Sequence, residues 1–170
     1  YACHLLASLY AYIDTILLGL LSSDESVGYY SFGYRLVRTS AMLLPILGVV
    51  FIPRVAFNYF SKEKKEMSKQ LGYSMHLTFL MGLPISFCLF VLAPEIVDVF
   101  SGGSFDRTIE VIRLLSPVAF LVALSHVTGS QILLPTHKEI VYLKALGCGM
   151  VLNLILNLAL IPNYHEKGSA

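Results

Sequence analysis

Apolar residues dominate five long stretches of the chain, and short polar segments separate them. A helix that crosses the hydrocarbon core of a bilayer, about 30 Å thick, needs about 20 mostly apolar residues. The pattern therefore predicts five membrane-spanning helices, which we call A to E. They cover about residues 1–21, 29–57, 71–93, 108–134 and 141–161. Because backbone groups in hydrocarbon must be hydrogen-bonded within their own segment, the predicted fold class is all-α, a polytopic transmembrane helix bundle.

Composition supports a lipid environment for these stretches. Of the 170 residues, 56% are hydrophobic and 14% are charged, and the mean hydropathy is +0.71. A typical soluble domain is about a quarter charged. The 12 basic and 11 acidic residues nearly cancel, so no basic field for nucleic acid exists. Tyr1 and Ala170 are not flanked by polar tails, and we expect the chain to be a piece of a longer protein.

Charge alternates between the loops. The loops near residues 22–28 and 94–107 are mainly acidic, whereas those near 54–70 and 135–141 carry six Lys and Arg residues against three Glu residues. Cytoplasmic loops of membrane proteins are enriched in Lys and Arg. The pattern predicts that loops 54–70 and 135–141 are cytoplasmic and that loops 22–28 and 94–107 lie outside.

Four prolines, Pro45, Pro53, Pro84 and Pro117, fall inside the predicted helices. Membrane helices tolerate such residues when neighbouring groups satisfy the freed carbonyls. Bent helices serve gating in many transporters, although a static kink in a structural bundle is the alternative.

Charge within a membrane span is costly and usually functional, and three charged residues in helices A and B are candidates on this ground. Asp14 is in helix A, and Arg35 and Arg38 share a face of helix B. At about 1.5 Å per residue, Asp14 and Arg35 have matching depths on two antiparallel helices. One interpretation is an ion pair that holds the helices together. The other is that at least one arginine lines a wet cavity for an anionic substrate.

Uncharged polar residues add further candidates. Asn153 and Asn157 are four residues apart on helix E, and Gln131 lies near the end of helix D. Such residues commonly hydrogen-bond between membrane helices, and the alternative is a polar stripe on a substrate path. The sequence shows no catalytic triad, phosphate loop or metal cluster, so it predicts neither an enzyme nor a metal or other cofactor.

Longer motifs resemble those of a known family. The segments are Asp14–Gly19, Ser22–Ser31, Ile52–Arg54, Gln131–Pro135 and Asn153–Tyr164. Together they resemble the bacterial polysaccharide flippases that move O-antigen and related repeat units. These flippases belong to the multidrug/oligosaccharidyl-lipid/polysaccharide exporter superfamily. The chain departs from the family pattern at His137 and in the charged segment 163–170.

The resemblance implies a transporter of twelve to fourteen helices in two bundles, of which residues 1–170 would be the start of the second. It implies that the protein flips undecaprenyl-pyrophosphate-linked oligosaccharides across the bacterial inner membrane for surface polysaccharide synthesis. The implied partners are this substrate, the bilayer, and a polysaccharide polymerase with its chain-length proteins, and a proton or sodium gradient would drive transport. The alternatives are a lipid II flippase, a cation-coupled drug exporter, and a non-transporting membrane scaffold of polysaccharide assembly.

Overall fold

The computed structural model describes residues 13–102 and 105–170, and these residues are almost entirely helical, with no strand among them. We number the helices α1 to α8. They are α1 (residues 13–21), α2 (Asp24–Ala41), α3 (Leu43–Val49), α4 (Phe51–Phe60), α5 (Lys64–Val91), α6 (Ala93–Ser101), α7 (Asp106–His126) and α8 (Glu139–Tyr164). A π-helical turn, Val127–Leu133, continues α7, and a 3-10 turn, His165–Lys167, follows α8. The predicted all-α fold is confirmed, while most of predicted helix A lies outside the described residues.

Three helical stretches are long and apolar enough to cross a membrane. They are Lys64–Val91, Asp106–Leu133 and Glu139–Pro162. The segments Asp24–Ile46 and Phe51–Phe60, bent by 46° with respect to each other, would form a fourth, broken span. Many large apolar side chains point away from the bundle, such as Leu20 and Val99 at 77% and 80% exposure. Lipid is the solvent that accommodates such a surface.

Predicted helix B is not one helix, and its breaks follow from two prolines. A proline ring collides with the carbonyl four residues earlier and cannot donate to it. For Pro45 that carbonyl belongs to Ala41, where α2 ends. For Pro53 it belongs to Val49, where α3 ends. The prediction of a continuous helix over 29–57 is therefore corrected to three helices.

Pro117, in contrast, lies inside the continuous helix α7. The carbonyl that it leaves without a backbone donor is that of Arg113. The Ser116 hydroxyl donates to this oxygen at 2.9 Å. A neighbouring side chain thus replaces the missing backbone hydrogen bond, and the helix continues.

Helix α2 also begins earlier than the hydrophobic pattern predicts. Ser23 caps its first turn, and the Ser23 hydroxyl accepts from the backbone N–H of Ser26 at 3.3 Å. Asp24 and Glu25 occupy this turn, where negative charge is favourable beside the helix dipole. The polar segment that reads as a loop in the sequence is therefore mostly the first turn of a helix.

Helix α7 lies at the centre of the described bundle, with α2 and α5 packed against it. Gly33 permits the close approach of α2, because a Cβ there would lie only 3.1 Å from Thr108 Cγ2 and 3.1 Å from Val111 Cγ1. Buried apolar residues around this contact, including Val37 and Ile112, form the core. This packing fixes which face of α2 is buried and which face remains open.

Candidate functional site

A polar cluster surrounds Asp14 at the junction of α1, α2 and α8. The Asn157 amide of α8 donates to Asp14 Oδ1 at 2.8 Å, and the Tyr30 hydroxyl of α2 donates to Asp14 Oδ2 at 3.3 Å. The same Asn157 amide donates to Asn153 Oδ1 at 3.1 Å. Ser169 closes the cluster, since its hydroxyl donates to Asn157 Oδ1 at 3.1 Å.

The Asp14 cluster, as we call Asp14, Tyr30, Asn153, Asn157 and Ser169, is largely shielded. Tyr30 and Asn157 are 1% and 3% exposed, and Asp14 is half-buried. Among residues 13–102 and 105–170, every side chain that contacts the carboxylate is formally neutral. A shielded carboxylate held by neutral donors retains the capacity to attract a cation.

The predicted ion pair between Asp14 and Arg35 does not form. Within residues 13–102 and 105–170, the ion pairs are Lys69–Glu66, His137–Glu139 and Lys167–Glu110. Two side chains at the same depth in the membrane can pair only if they also lie on the helix faces that point toward each other. Tyr30 is the α2 residue that reaches Asp14, and Arg35 lies about 140° further around the helix at about 100° per residue.

The two arginines instead line an open cleft. Arg35 and Arg38 are both exposed, and the cleft has a volume of about 340 Å³. Its other lining residues are Thr15 of α1, Ser31 and Tyr34 of α2, and Met42, which directly follows α2. We call this space the arginine cleft. Its α2 residues recur at intervals of three and four, so they form one continuous stripe along the helix.

Arg38 is held within the cleft by a residue that the sequence analysis missed. Its Nη1 group donates to the Tyr34 hydroxyl at 3.0 Å, and its guanidinium carbon lies 5.7 Å from the Tyr34 ring centroid. The ring of Tyr34 in turn stacks on that of Tyr30, with centroids 5.8 Å apart and planes 13° from parallel. The spacing of Tyr30, Tyr34 and Arg38, four residues apart on one helix, is the sequence signal that could have found this arrangement.

Gln131 lies in a different part of the fold. It is 1% exposed within the π-helical turn after α7, and its Oε1 accepts from the Ser74 hydroxyl of α5 at 2.6 Å. A Cβ at Gly48 of α3 would collide with its amide nitrogen. Gln131 therefore holds three segments together, and it lines neither the arginine cleft nor the Asp14 cluster.

No group of three or more His, Cys, Asp or Glu side chains in the described ranges could hold a metal ion. Two polar sites in this part of the chain share α1 and α2. One is the Asp14 cluster of carboxylate, amides and hydroxyls. The other is the arginine cleft.

Apolar helices of spanning length, with polar sites on the faces between them, define a multi-pass membrane protein. The chain belongs to the MatE family, whose model matches residues 3–159. The resemblance seen in the sequence motifs is thereby confirmed at the level of the family.

Curated relatives are more distant and considerably longer. A protein of Escherichia coli (strain K12), named as a candidate O-antigen transporter, is 27% identical over 96% of this chain and 39% of its own length. Agl15 of Haloferax volcanii, named as a probable flippase of low-salt glycan biosynthesis, is 23% identical over 95% of the chain and 34% of its own length. TuaB of Bacillus subtilis (strain 168), named as a teichuronic acid biosynthesis protein, is 27% identical over 78% of the chain and 27% of its own length.

The chain thus spans well under half the length of these relatives. No solved structure gives a significant match.

Proposed function

We propose that this chain is part of a flippase for lipid-linked oligosaccharides. In this proposal the complete protein moves undecaprenyl-pyrophosphate-linked repeat units from the cytoplasmic to the outer leaflet of the bacterial inner membrane. Relatives named for O-antigen transport, glycan flipping and teichuronic acid synthesis support the substrate class. Assembly with a polymerase and chain-length proteins stays a prediction from the sequence resemblance.

The observation that carries the proposal is the arginine cleft. An arginine that faced lipid at this depth would cost about 2.5–3.5 kcal/mol on insertion scales, so a wet cavity is favoured. Guanidinium groups keep their charge in such a cavity and grip phosphate oxygens with two parallel hydrogen bonds. Arg35 and Arg38 are both exposed on one stripe of α2 and are free of acidic partners among the described residues. The pyrophosphate of the substrate is the anion that this arrangement suits.

The Asp14 cluster is the proposed site of the coupling cation, a proton or Na⁺. A carboxylate can bind either ion, and amide side chains can turn their oxygens toward a metal ion. Asn153 and Asn157 supply two such oxygens beside Asp14, and Ser169 supplies a hydroxyl. Because this cluster lies beside the arginine cleft, cation binding and substrate binding could affect each other's affinity.

Substitutions at Arg38 test the substrate site. In the complete protein, we expect surface polysaccharide in a flippase-deficient strain to be restored in the order Arg, then Lys, then Ala or Gln. Hydrogen bonds to charged groups are worth about 1.5–3 kcal/mol, so Arg38→Ala should lose at least about tenfold in transport rate. Lysine retains the charge but loses the bidentate geometry.

The control for this series is Arg107→Ala. Arg107 lies in the first turn of α7 and does not line the arginine cleft. Each variant needs a measured membrane level, so that a failure to insert is separated from a failure to transport. Full transport by Arg38→Ala at normal membrane levels would exclude Arg38 from the substrate path.

The proposed orientation has its own test. We expect a cysteine at position 24 to react with an impermeant thiol reagent in intact cells, and one at position 64 to react only after permeabilisation. The reason is the excess of Lys and Arg in the loop near 54–70 and of Asp and Glu in the loop near 22–28. A background in which Cys3, Cys88 and Cys148 are replaced by serine or alanine serves as the control. The reverse labelling pattern would overturn the orientation.

A further inference from the structure

A continuous series of side-chain contacts connects the arginine cleft with the Asp14 cluster. It runs from Arg38 to Tyr34 through a hydrogen bond of 3.0 Å, and from Tyr34 to Tyr30 through a ring stack with centroids 5.8 Å apart. It continues from Tyr30 to Asp14 through a hydrogen bond of 3.3 Å. Both sites of the proposed function are therefore in contact with one pair of tyrosines.

The geometry of α2 keeps the side chains of this series in close contact with one another. Tyr30, Tyr34 and Arg38 are each four residues apart, so they lie one above the other along the helix. Tyr30 is 1% exposed and packs in the hydrophobic core, which leaves its ring little freedom. A change in the position of the Tyr30 hydroxyl must then be taken up by the ring and its stacked neighbour, because close-packed interiors transmit strain.

We propose that Tyr30 and Tyr34 are positioning residues through which the cation state of Asp14 controls the geometry of Arg38. This inference rests on the proposed function of the two sites. A cation on the Asp14 carboxylate competes with the Tyr30 hydroxyl for Oδ2. Loss of that hydrogen bond displaces the Tyr30 hydroxyl, and the closely packed ring passes the shift to the stacked Tyr34, which releases Arg38 from its preorganised position.

We call the series Asp14, Tyr30, Tyr34 and Arg38 the relay. The sign of the coupling between cation binding and pyrophosphate binding distinguishes the relay from through-space electrostatics. Preorganised groups bind more tightly than mobile ones, so release of Arg38 lowers the affinity for a pyrophosphate. Through-space attraction would act in the opposite direction, because a cation near the cleft favours an anion. The relay therefore predicts that cation and pyrophosphate weaken each other's binding. By thermodynamic linkage, the cation lowers the affinity for pyrophosphate by the same factor as pyrophosphate lowers the affinity for the cation.

The experiment measures binding of undecaprenyl pyrophosphate to the complete protein in nanodiscs. Two comparisons define the cation effect: Na⁺ against K⁺ at mildly alkaline pH, and mildly acidic against mildly alkaline pH in K⁺. In the described part of the chain, the side chains that contact the carboxylate are Tyr30 from α2 and Asn153 and Asn157 from α8. The charged group at the far end of the relay is Arg38. We expect Na⁺ or acid to lower the affinity of the unmodified protein by about fivefold or more, the lower end of typical allosteric coupling.

Tyr30→Phe and Tyr34→Phe remove one hydroxyl each and keep the ring stack. In both variants we expect the cation effect to shrink toward a ratio of one, while the protein remains folded in a thermal unfolding assay. Tyr29→Phe is the matched control on the same helix, because the Tyr29 hydroxyl donates only outside the relay, to Glu25 at 2.7 Å. It should keep the cation effect of the unmodified protein.

The outcomes separate the relay from the function on which it rests. An unmodified protein that does not bind undecaprenyl pyrophosphate would overturn both proposals. Binding that is unaffected by cations, or raised by them, would overturn the relay and leave the substrate proposal standing. The same conclusion follows if Tyr30→Phe and Tyr34→Phe retain the full cation effect.

Discussion

Replacement of Asp14 by alanine is expected to lower the free energy of unfolding of the complete protein by about 1–3 kcal/mol. It removes one acceptor of two buried donors, the Tyr30 hydroxyl and the Asn157 amide, while the bond from the Asn157 amide to Asn153 Oδ1 remains. A buried donor left without an acceptor costs about 1–3 kcal/mol. Asp14→Asn is milder, because its amide oxygen still accepts from one of the two.

Reversible unfolding in mixed micelles measures this loss, and double-mutant cycles identify the partners of Asp14. The cycle with Asn157→Ala should show a coupling energy of about 0.5–3 kcal/mol, as for residues in one hydrogen-bond network. The cycle of Asp14→Ala with Arg35→Ala is the control, and it should be additive within about 0.5 kcal/mol because no contact joins the two side chains. Strong coupling of Asp14 to Arg35, with none to Asn157, would contradict the observed junction of α1, α2 and α8.

Gly33→Leu is expected to destabilise the contact between α2 and α7 by about 1–3 kcal/mol or more, the usual cost of overpacking. A Cβ at this position would already lie within 3.4 Å of three side chains, those of Thr108, Val111 and Ile112. All three are β-branched, so they cannot rotate away at low cost. The helices must separate to make room, and contacts throughout the core are lost with them.

The control is Gly28→Leu, on the same helix, where nothing lies within 4 Å of the Cβ position. It should be neutral or slightly stabilising, since replacement of an exposed helical glycine gains up to about 1 kcal/mol. The two variants are compared by thermal unfolding of the purified complete protein. Equal unfolding temperatures for both would mean that α2 and α7 do not pack closely in the membrane.

The residues of the Asp14 cluster illustrate how far the sequence predicts a site. Asp14, Asn153 and Asn157 stand out in the sequence as polar residues within apolar stretches, and the structure brings all three together. Their role in transport stays a prediction. Tyr30 and Tyr34 do not stand out in this way, because a tyrosine hydroxyl becomes part of a site only through partners that the sequence does not reveal.

The sequence by itself determined the helical form of the apolar stretches and the ends of the helices at proline. These features depend on interactions between residues that are close together in the chain. A run of about 20 apolar residues can satisfy its backbone in lipid only as a helix, wherever its neighbours lie. Pro45 and Pro53 end α2 and α3 through carbonyls only four residues away. The family motifs are likewise properties of the linear chain, and the match to the MatE family needs no structure.

The tertiary structure alone decided which polar groups meet. The rise per residue gives the depth of a side chain in the membrane, but it does not give the direction in which the helix face points. Asp14 and Arg35 share a depth yet face different neighbours, whereas Asp14 and Asn157 are 143 residues apart in sequence and are joined by a hydrogen bond. The open face of α2 follows from its packing against α7 at Gly33, and the Asp14–Asn157 bond requires α1 and α8 to lie side by side. Both depend on contacts between distant segments rather than on any local sequence.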